Sequence, residues 1–425
     1  MLAHIATDLV GPLLELETLF LQKQSEIESW LRTQLHATTP PFYSSVDLRN
    51  AGFKLAPVDT NLFPAGFNNL TRDNTPLAVQ SVQDAIERIC PSACKLLLIP
   101  ESHTRNVFYQ ENLAALIDIL QKSGLEVKMG ALNIQARQSL KLPSGKNIDL
   151  HPMYIAQGNL QINGFVPCVG LLNNDLASGV PELLKQAEAT LFVPPLELGW
   201  ASRLKSEHFK HYSAVAHELA DIIGIDPWLI DPKFRNCGEI NFKTREGEEC
   251  LAENVDKVLT DIRRKYREYG IKHKPFVLAK ADAGTYGMGI ITIYDPLDVV
   301  DLNRKQRNKM TRGKGGMETS KVILQEGVYT FETLGAENDK ACEPVVYMID
   351  KNVVGGFYRV HTNRGIDENL NAPGMMFEPL SFAKPLITPD RDGDPDDELN
   401  RLYAYGVVAR LAMLAAAREI AEVLA

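Results

Sequence analysis

Residues 274–294 read KPFVLAKADAGTYGMGIITIY. The apolar run 276–279 reads as a buried strand closed by Lys280, and 290–293 as the strand that returns. Between them stand Asp282, Ala283, Gly284, Thr285, Gly287 and Gly289. Glycine accepts positive φ and carries no side chain, so such a turn can bring several backbone N–H groups onto one phosphate. A lysine at the end of the leading strand adds a point charge to the same phosphates. The stretch is not a P-loop, because no Gly-Lys-Ser/Thr closes it and a strand rather than a helix follows. The plain alternative is a β-hairpin with a glycine-rich turn.

A charged helix over 254–269 leads into this turn. After it, 301–321 is basic and carries glycines at 313–316. Such runs are ordinarily solvated loops; beside a phosphate site, one can serve as a lid. A strand over 321–324 runs into Gln325-Glu326-Gly327-Val328. Residues 343–361 read as a hairpin turning at 350–352, with Arg359 on its second strand. A polar loop, 363–374, and an alanine-rich helix, 403–424, complete the chain.

Towards the N-terminus, Leu9, Leu13, Leu16, Phe20, Ile27 and Leu31 have helical spacing within 5–35, and Pro40 and Pro41 end that helix. Strands over 46–48 and 53–58 flank a turn at 50–52. Asp47 lies on the first; Asp59 and Asn61 end the second. Two apart on a strand, they share a face. Two carboxylates and an amide oxygen suit magnesium, which takes hard oxygen ligands and shares its shell with phosphate. Equally, Asp59 and Asn61 can cap a turn.

Residues 78–130 alternate helix (78–89), strand (95–100), helix (110–123) and strand (125–129), the pattern of parallel strands. The loop 101–106, including Arg105 and Asn106, leaves the C-terminal end of a strand, where open α/β sheets bind ligands. Arg105 can clamp a carboxylate or stand as a surface arginine. Residues 150–172 are a weak β region ending in the apolar strand 168–172; 190–193 is another strand. A helix then begins in GWASRLKSEHFKHY and runs to 223. Lys205 and His208, near its start, face an anion or are solvated helix charges. Residues 231–257 read as irregular.

The 425 residues suffice for two or three packed units. A formal charge of −9 and a pI near 5.6 argue against a nucleic-acid partner. No stretch is long and apolar enough to span a membrane. His4, Asp8, Glu15 and Glu17 break up the N-terminal segment, against a secretory signal. Of six cysteines only Cys90 and Cys94 are neighbours, so reduced cytoplasmic thiols are expected.

Taken together, 274–380 resembles an ATP-grasp ligase of the glutathione-synthetase-like branch: strand, lysine, glycine loop, strand, a Q-E-x-V-like hinge, a hairpin with an arginine, then an Asn-Leu loop and Glu378-Pro379-Leu380. The resemblance implies that Lys280 contacts ATP phosphates and that 283–288 covers them. It implies that Asp282, Gly284, Thr285 and Gly287 belong to the ATP site, and that Gln325, Glu326 and Val328 bracket the adenine and ribose. Lys205 would be the second ATP lysine, and Arg359 would hold a substrate carboxylate or acyl phosphate.

The order departs from that branch. There, a strand bearing Asp and then an acid-x-Asn pair with a Pro/Gly loop follow the last long helix. Here the matching residues are Asp47, Asp59, Asn61 and 63–66, far upstream, which implies a circular permutation. Asp367, Asn369 and Asn371 are a rival metal set, although their position matches the family's substrate loop. Pro344 stands where an ATP-site arginine is usual, and the basic segment 304–314 would compensate.

The chain resembles, nearly end to end, the proteobacterial glutamate–cysteine ligases, and three longer stretches carry that resemblance: SSVDLRNAGFKLAPVDTNLFPAGFNNL, PPLELGWASRLKSEHF and AKADAGTYGMGI. The implied class is α/β: an N-terminal helix (1–40), permuted metal-binding strands (41–75), a Rossmann-like pre-ATP-grasp substrate domain (76–200) and an ATP-grasp domain (201–425). Implied cofactors are ATP and Mg2+, the metal being on Asp47, Asp59 and Asn61. Glutamate and cysteine are the implied substrates, with Arg49, Asn68, Arg105, Asn106, Arg359, Asn369 and Asn371 as their candidate contacts. No nucleic acid or membrane partner is expected, and self-association stays open.

Overall fold

In the computed structural model, which describes residues 5–7, 12–102, 106–283, 289–310, 321–334, 340–380, 388–394 and 397–425, the late hairpin is the spine of the largest sheet. Its strands, Lys340–Ile349 and Asn352–His361, turn at Asp350, whose φ of 51° an aspartate tolerates. Tyr43–Asn50 pairs antiparallel with Lys340–Ile349, setting Asp47 opposite Val345. Leu55–Asn61 then returns alongside Tyr43–Asn50. The acidic hairpin from the start of the chain is thus an integral part of a sheet built from its end.

The C-terminal helix Glu398–Leu424 packs on both early strands, while Thr75–Ile89 packs on the late hairpin. With nearly every residue of the late strands buried, they show a continuous apolar run rather than alternation. Tyr403, Val408, Leu411 and Leu414 of the C-terminal helix are fully buried. Each such side chain contributes about 1.5–3 kcal/mol of apolar burial.

A second sheet holds Leu191–Val193, Val169–Asn173, Lys95–Pro100, Glu126–Ala131 and Asn147–Pro152 in parallel, with Gln138–Lys141 as an antiparallel edge. A third, wholly antiparallel, runs Phe234–Glu239, Lys321–Glu326, Val277–Ala281, Ile290–Ile293. Gly327, just past Lys321–Glu326, has no room for a side chain: a Cβ there would sit 2.1 Å from the Phe276 ring.

The α/β class and most elements match the expectations. Three differ. The single helix over 5–35 is a strand, Ile5–Thr7, paired with Glu332–Leu334, and two helices, Pro12–Gln22 and Gln24–Ala37. Residues 231–257 are not irregular: Phe234–Glu239 is an edge strand, polar because one side lacks a neighbour, and the next helix starts at Glu248. Finally, the second early strand is Leu55–Asn61 rather than 53–58, so Asp59 and Asn61 belong to its closing residues.

Candidate active site

Asp47 and Asp59 are direct cross-strand partners. The register slips immediately beside them: Leu48 faces Pro57, which leaves Val58 as an extra residue. Proline donates no ladder hydrogen bond, so a bulge at this point costs the sheet little. The freed Val58 carbonyl accepts from Lys280 Nζ at 3.0 Å, and Gln325 Oε1 accepts from the same ammonium at 2.5 Å. Lys280 is buried, and burial pushes its pKa down to about 8 against the pull of Asp59.

Lys205 opens the helix Lys205–Ile223, and its Nζ lies 2.6 Å from Asp59 Oδ1. Burial opposes the Asp59 charge, but Lys205, Lys280 and Arg203 overcome it and hold the carboxyl at about 2. Asp282 fixes the start of this helix. Its carboxylate accepts from Ser206 N (2.8 Å) and Ser206 Oγ (2.7 Å), and its carbonyl accepts from Lys205 N (2.8 Å). It is fully buried. The expected ATP contact by its side chain is therefore corrected: Asp282 aims Lys205 instead.

Arg359 donates to Asp47 Oδ2 at 2.8 Å and to Glu343 Oε1 at 2.6 Å. Glu343 stands opposite it in the hairpin register and accepts a second arginine, Arg49, at 2.9 Å. Burial opposes the charge of Glu343, and the two guanidinium groups keep its pKa low. Arg49 also donates to the carbonyls of Val328 (3.2 Å), Ile366 (3.4 Å) and Glu368 (2.5 Å). Four of its five N–H donors go to the protein, so Arg49 pins the 366–368 loop from the wall of the cleft.

These groups surround one cleft of about 570 Å3, open mouth included, lined by Asp47, Arg49, Asp59, Lys205 and Lys280 together with Asn369 and Asn371. Asn61 lines an adjoining hollow that shares Asp59 and Lys205. Its own amide caps a turn, accepting from Phe63 N at 2.9 Å. Asn369 likewise accepts from Asn371 N at 3.0 Å, while the Asp367 carboxylate accepts from the Tyr294 hydroxyl.

Three other expected site residues do not line this cleft. The Glu326 carboxylate is buried, ion-paired with Lys54 at 2.8 Å and bonded by Trp228 Nε1 at 3.0 Å. It is a core group, with Lys54 also 4.4 Å over the Trp228 ring. Asn106 caps the helix Val107–Lys122 by accepting from Phe108 N and Tyr109 N. Asn68 is exposed and lines a separate hollow with Glu111 and Lys146. Gln325 and Val328 are buried. Arg105, Gly284, Thr285 and Gly287 lie outside the described residues, as does 311–314 of the basic segment.

Sequence reasoning passed over Glu343, Arg203 and Glu419. Arg203 donates to the Thr60 carbonyl, between Asp59 and Asn61, at 2.6 Å. It pairs with both carboxylate oxygens of Glu419, on the C-terminal helix, at 2.8 Å. Nothing local marks such residues, whose partners stand far along the chain.

Among the described residues no three His, Cys, Asp or Glu side chains are grouped to hold a metal. Asp47 and Asp59 nonetheless present hard oxygen donors side by side at one cleft, each held by a cation, Arg359 and Lys205. That donor chemistry suits a magnesium ion bound with phosphate.

The family described as glutamate-cysteine ligase matches residues 17–420. A crystal structure from Methylobacillus flagellatus KT, provisionally named gamma-glutamylcysteine synthetase, is 56% identical. The match covers 100% of this chain and 99% of that one, with a TM-score of 0.92. A glutathione synthetase-like effector from Globodera pallida aligns at 8% identity and TM-score 0.38 over 88% of this chain and 84% of its own. D-alanyl-alanine synthetase A from Vibrio cholerae O1 aligns at 10% and 0.34 over 75% and 81%. Those two scores are too low to argue from. Comparison with curated proteins gives no match.

Proposed function

The chain belongs to the glutamate-cysteine ligase family, and on that premise we propose that it joins the γ-carboxylate of glutamate to the amine of cysteine, consuming ATP. The observation that carries the site is the meeting of Asp59 with Lys205 and Lys280 at one cleft. A carboxylate is a poor electrophile. Transfer of a phosphoryl group from ATP to the glutamate γ-carboxylate makes an acyl phosphate, and attack by the cysteine amine then expels phosphate. The first step depends on positioning and on neutralising phosphoryl oxygens rather than on a strong base.

In this reading Lys280 and Lys205 hold phosphate oxygens, and Asp47, Asp59 and Asn61 hold magnesium, which supplies charge neutralisation when bound. Arg359, behind Asp47, steadies that carboxylate. Asn369 and Asn371 face the amino-acid substrates across the cleft. The ATP-grasp arrangement, with its acidic hairpin moved to the front of the chain, fits the strand order and the location of the two lysines. Six free thiols support a cytoplasmic setting.

The test is ADP release from ATP with defined pairs of amino acids. Glutamate plus cysteine should drive it. Turnover only with γ-glutamylcysteine plus glycine would instead indicate a glutathione synthetase, and nucleotide binding without turnover a non-catalytic module.

A further inference from the structure

The hollow beside the cleft has about 370 Å3 of space, open mouth included, and is walled by Trp200, Phe209, Arg203 and His208 as well as by Asp59 and Lys205. His208 is 2% exposed. Its Nδ1 lies 3.1 Å from Glu419 Oε2. A carboxylate only accepts, so this contact places the proton on Nδ1 and leaves Nε2 a bare acceptor. Burial keeps the imidazole neutral by lowering its pKa, and Arg203 adds to that. Nε2 is buried without a hydrogen-bond partner among the described residues. Nothing in the ligase chemistry above uses it.

Arg203 is neutralised by Glu419, while Lys205 and Asp59 stand on the edge shared with the neighbouring cleft, where they are the groups given above to phosphate and metal. Away from that shared edge the hollow offers no unbalanced charge to an ionic side chain. The wall favours an uncharged group that donates one hydrogen bond to Nε2 and packs well against aromatic rings. A thiol meets both demands, as a weak S–H donor with a polarisable sulfur that contacts ring edges favourably.

Resting on the ligase reading, we propose that this hollow receives the thiol side chain of the amine substrate and that His208 is the residue that selects for it. The thiol keeps its proton and donates it as a hydrogen bond; no bond to sulfur forms or breaks. Selection then comes from an acceptor that stays unpaired whenever the side chain cannot donate.

The experiment compares kcat/KM for cysteine with that for 2-aminobutyrate, which has a methyl group in place of the thiol. In His208→Leu the preference for cysteine should fall by about tenfold or more, mainly through KM for cysteine. His208→Gln, which restores an acceptor, should recover part of it. A folded His208→Leu enzyme whose preference stays within about twofold of wild type overturns the proposal. Should that variant fail to fold, the wild-type enzyme still decides the matter. The 15N resonance of His208 Nε2 should move when cysteine binds in the presence of ADP and not when 2-aminobutyrate does; equal responses overturn it. A wild type that forms no ADP with glutamate and cysteine contradicts the ligase reading itself. An active wild type with an unchanged preference in the variant contradicts the thiol hollow alone.

Discussion

Lys280 donates to the carbonyl oxygen of Val58, 222 positions earlier in the chain, at 3.0 Å. That bond ties the lysine of the strand Val277–Ala281 to the bulge that precedes Asp59. Burying the ammonium costs more than its partners return, as its lowered pKa shows, so removing it should affect chemistry more than folding. Lys280→Ala is expected to lower kcat by about 10²–10³ while the protein stays folded. Circular dichroism and steady-state kinetics on the same preparation check both halves.

The Lys280 charge also sets a pH dependence. Its folded pKa, about 8, lies below the ordinary lysine value of 10.5. Between those values the unfolded chain binds more protons than the folded one, so this lysine makes stability rise with pH across that window. Phosphate binding favours the charged form, so ATP affinity should fall as pH rises through about 8. Lys280→Met should lose both slopes. Urea unfolding and ATP titrations at pH 7, 8 and 9 measure them (pH values roughly spanning the transition).

Asp59 is balanced by Lys205 at 2.6 Å. Asp59→Asn removes an oxygen donor and leaves Lys205 unpaired. Its kcat should drop by about 10²–10³, and higher magnesium should restore only part of it. Full activity in Asp59→Asn would move the metal to the loop carrying Asp367, Asn369 and Asn371.

Arg203, itself mostly buried, joins the Thr60 carbonyl to the buried Glu419 of the last helix. Arg203→Met strands the Glu419 carboxylate and should destabilise the fold by about 3–5 kcal/mol, read from urea unfolding. It should also weaken the apparent affinity for magnesium, since Thr60 sits between Asp59 and Asn61. Loss of stability with an unchanged magnesium requirement would leave Arg203 a purely structural residue.

Gly327 approaches the Phe276 ring so closely that Gly327→Ala should cost about 1–3 kcal/mol or more through overpacking. Adding Phe276→Leu should recover part of that loss, as measured by the unfolding midpoint.

Much of this was legible in the sequence because it rests on local signals. The turn of the late hairpin, the alternating helices and strands of 78–130 and the two strands flanking the glycine-rich stretch each carry their own pattern. Phe234–Glu239 was not legible: at the sheet edge it buries too little to need apolar residues, so its sequence reads as loop. Glu326 read as a ligand-facing acid because of its hinge motif, but its partner Lys54 lies in another part of the chain and claims it inside the core. Glu343, Arg203 and Glu419 escaped notice for the same reason. Each acquires its role only when distant segments meet, and a single sequence holds no record of those meetings. Asp47 and Asp59 were legible in kind, as hard oxygen donors, while the cations that hold them were not all foreseen: Arg359 was assigned to substrate, and the structure pairs it with Asp47.

The most direct test of the account is a crystal structure with ADP and magnesium. The account expects the diphosphate in the cleft between Lys280 and Lys205, with magnesium on the carboxylates of Asp47 and Asp59. A nucleotide bound elsewhere, with both aspartates still paired to Arg359 and Lys205 and no metal between them, would contradict it.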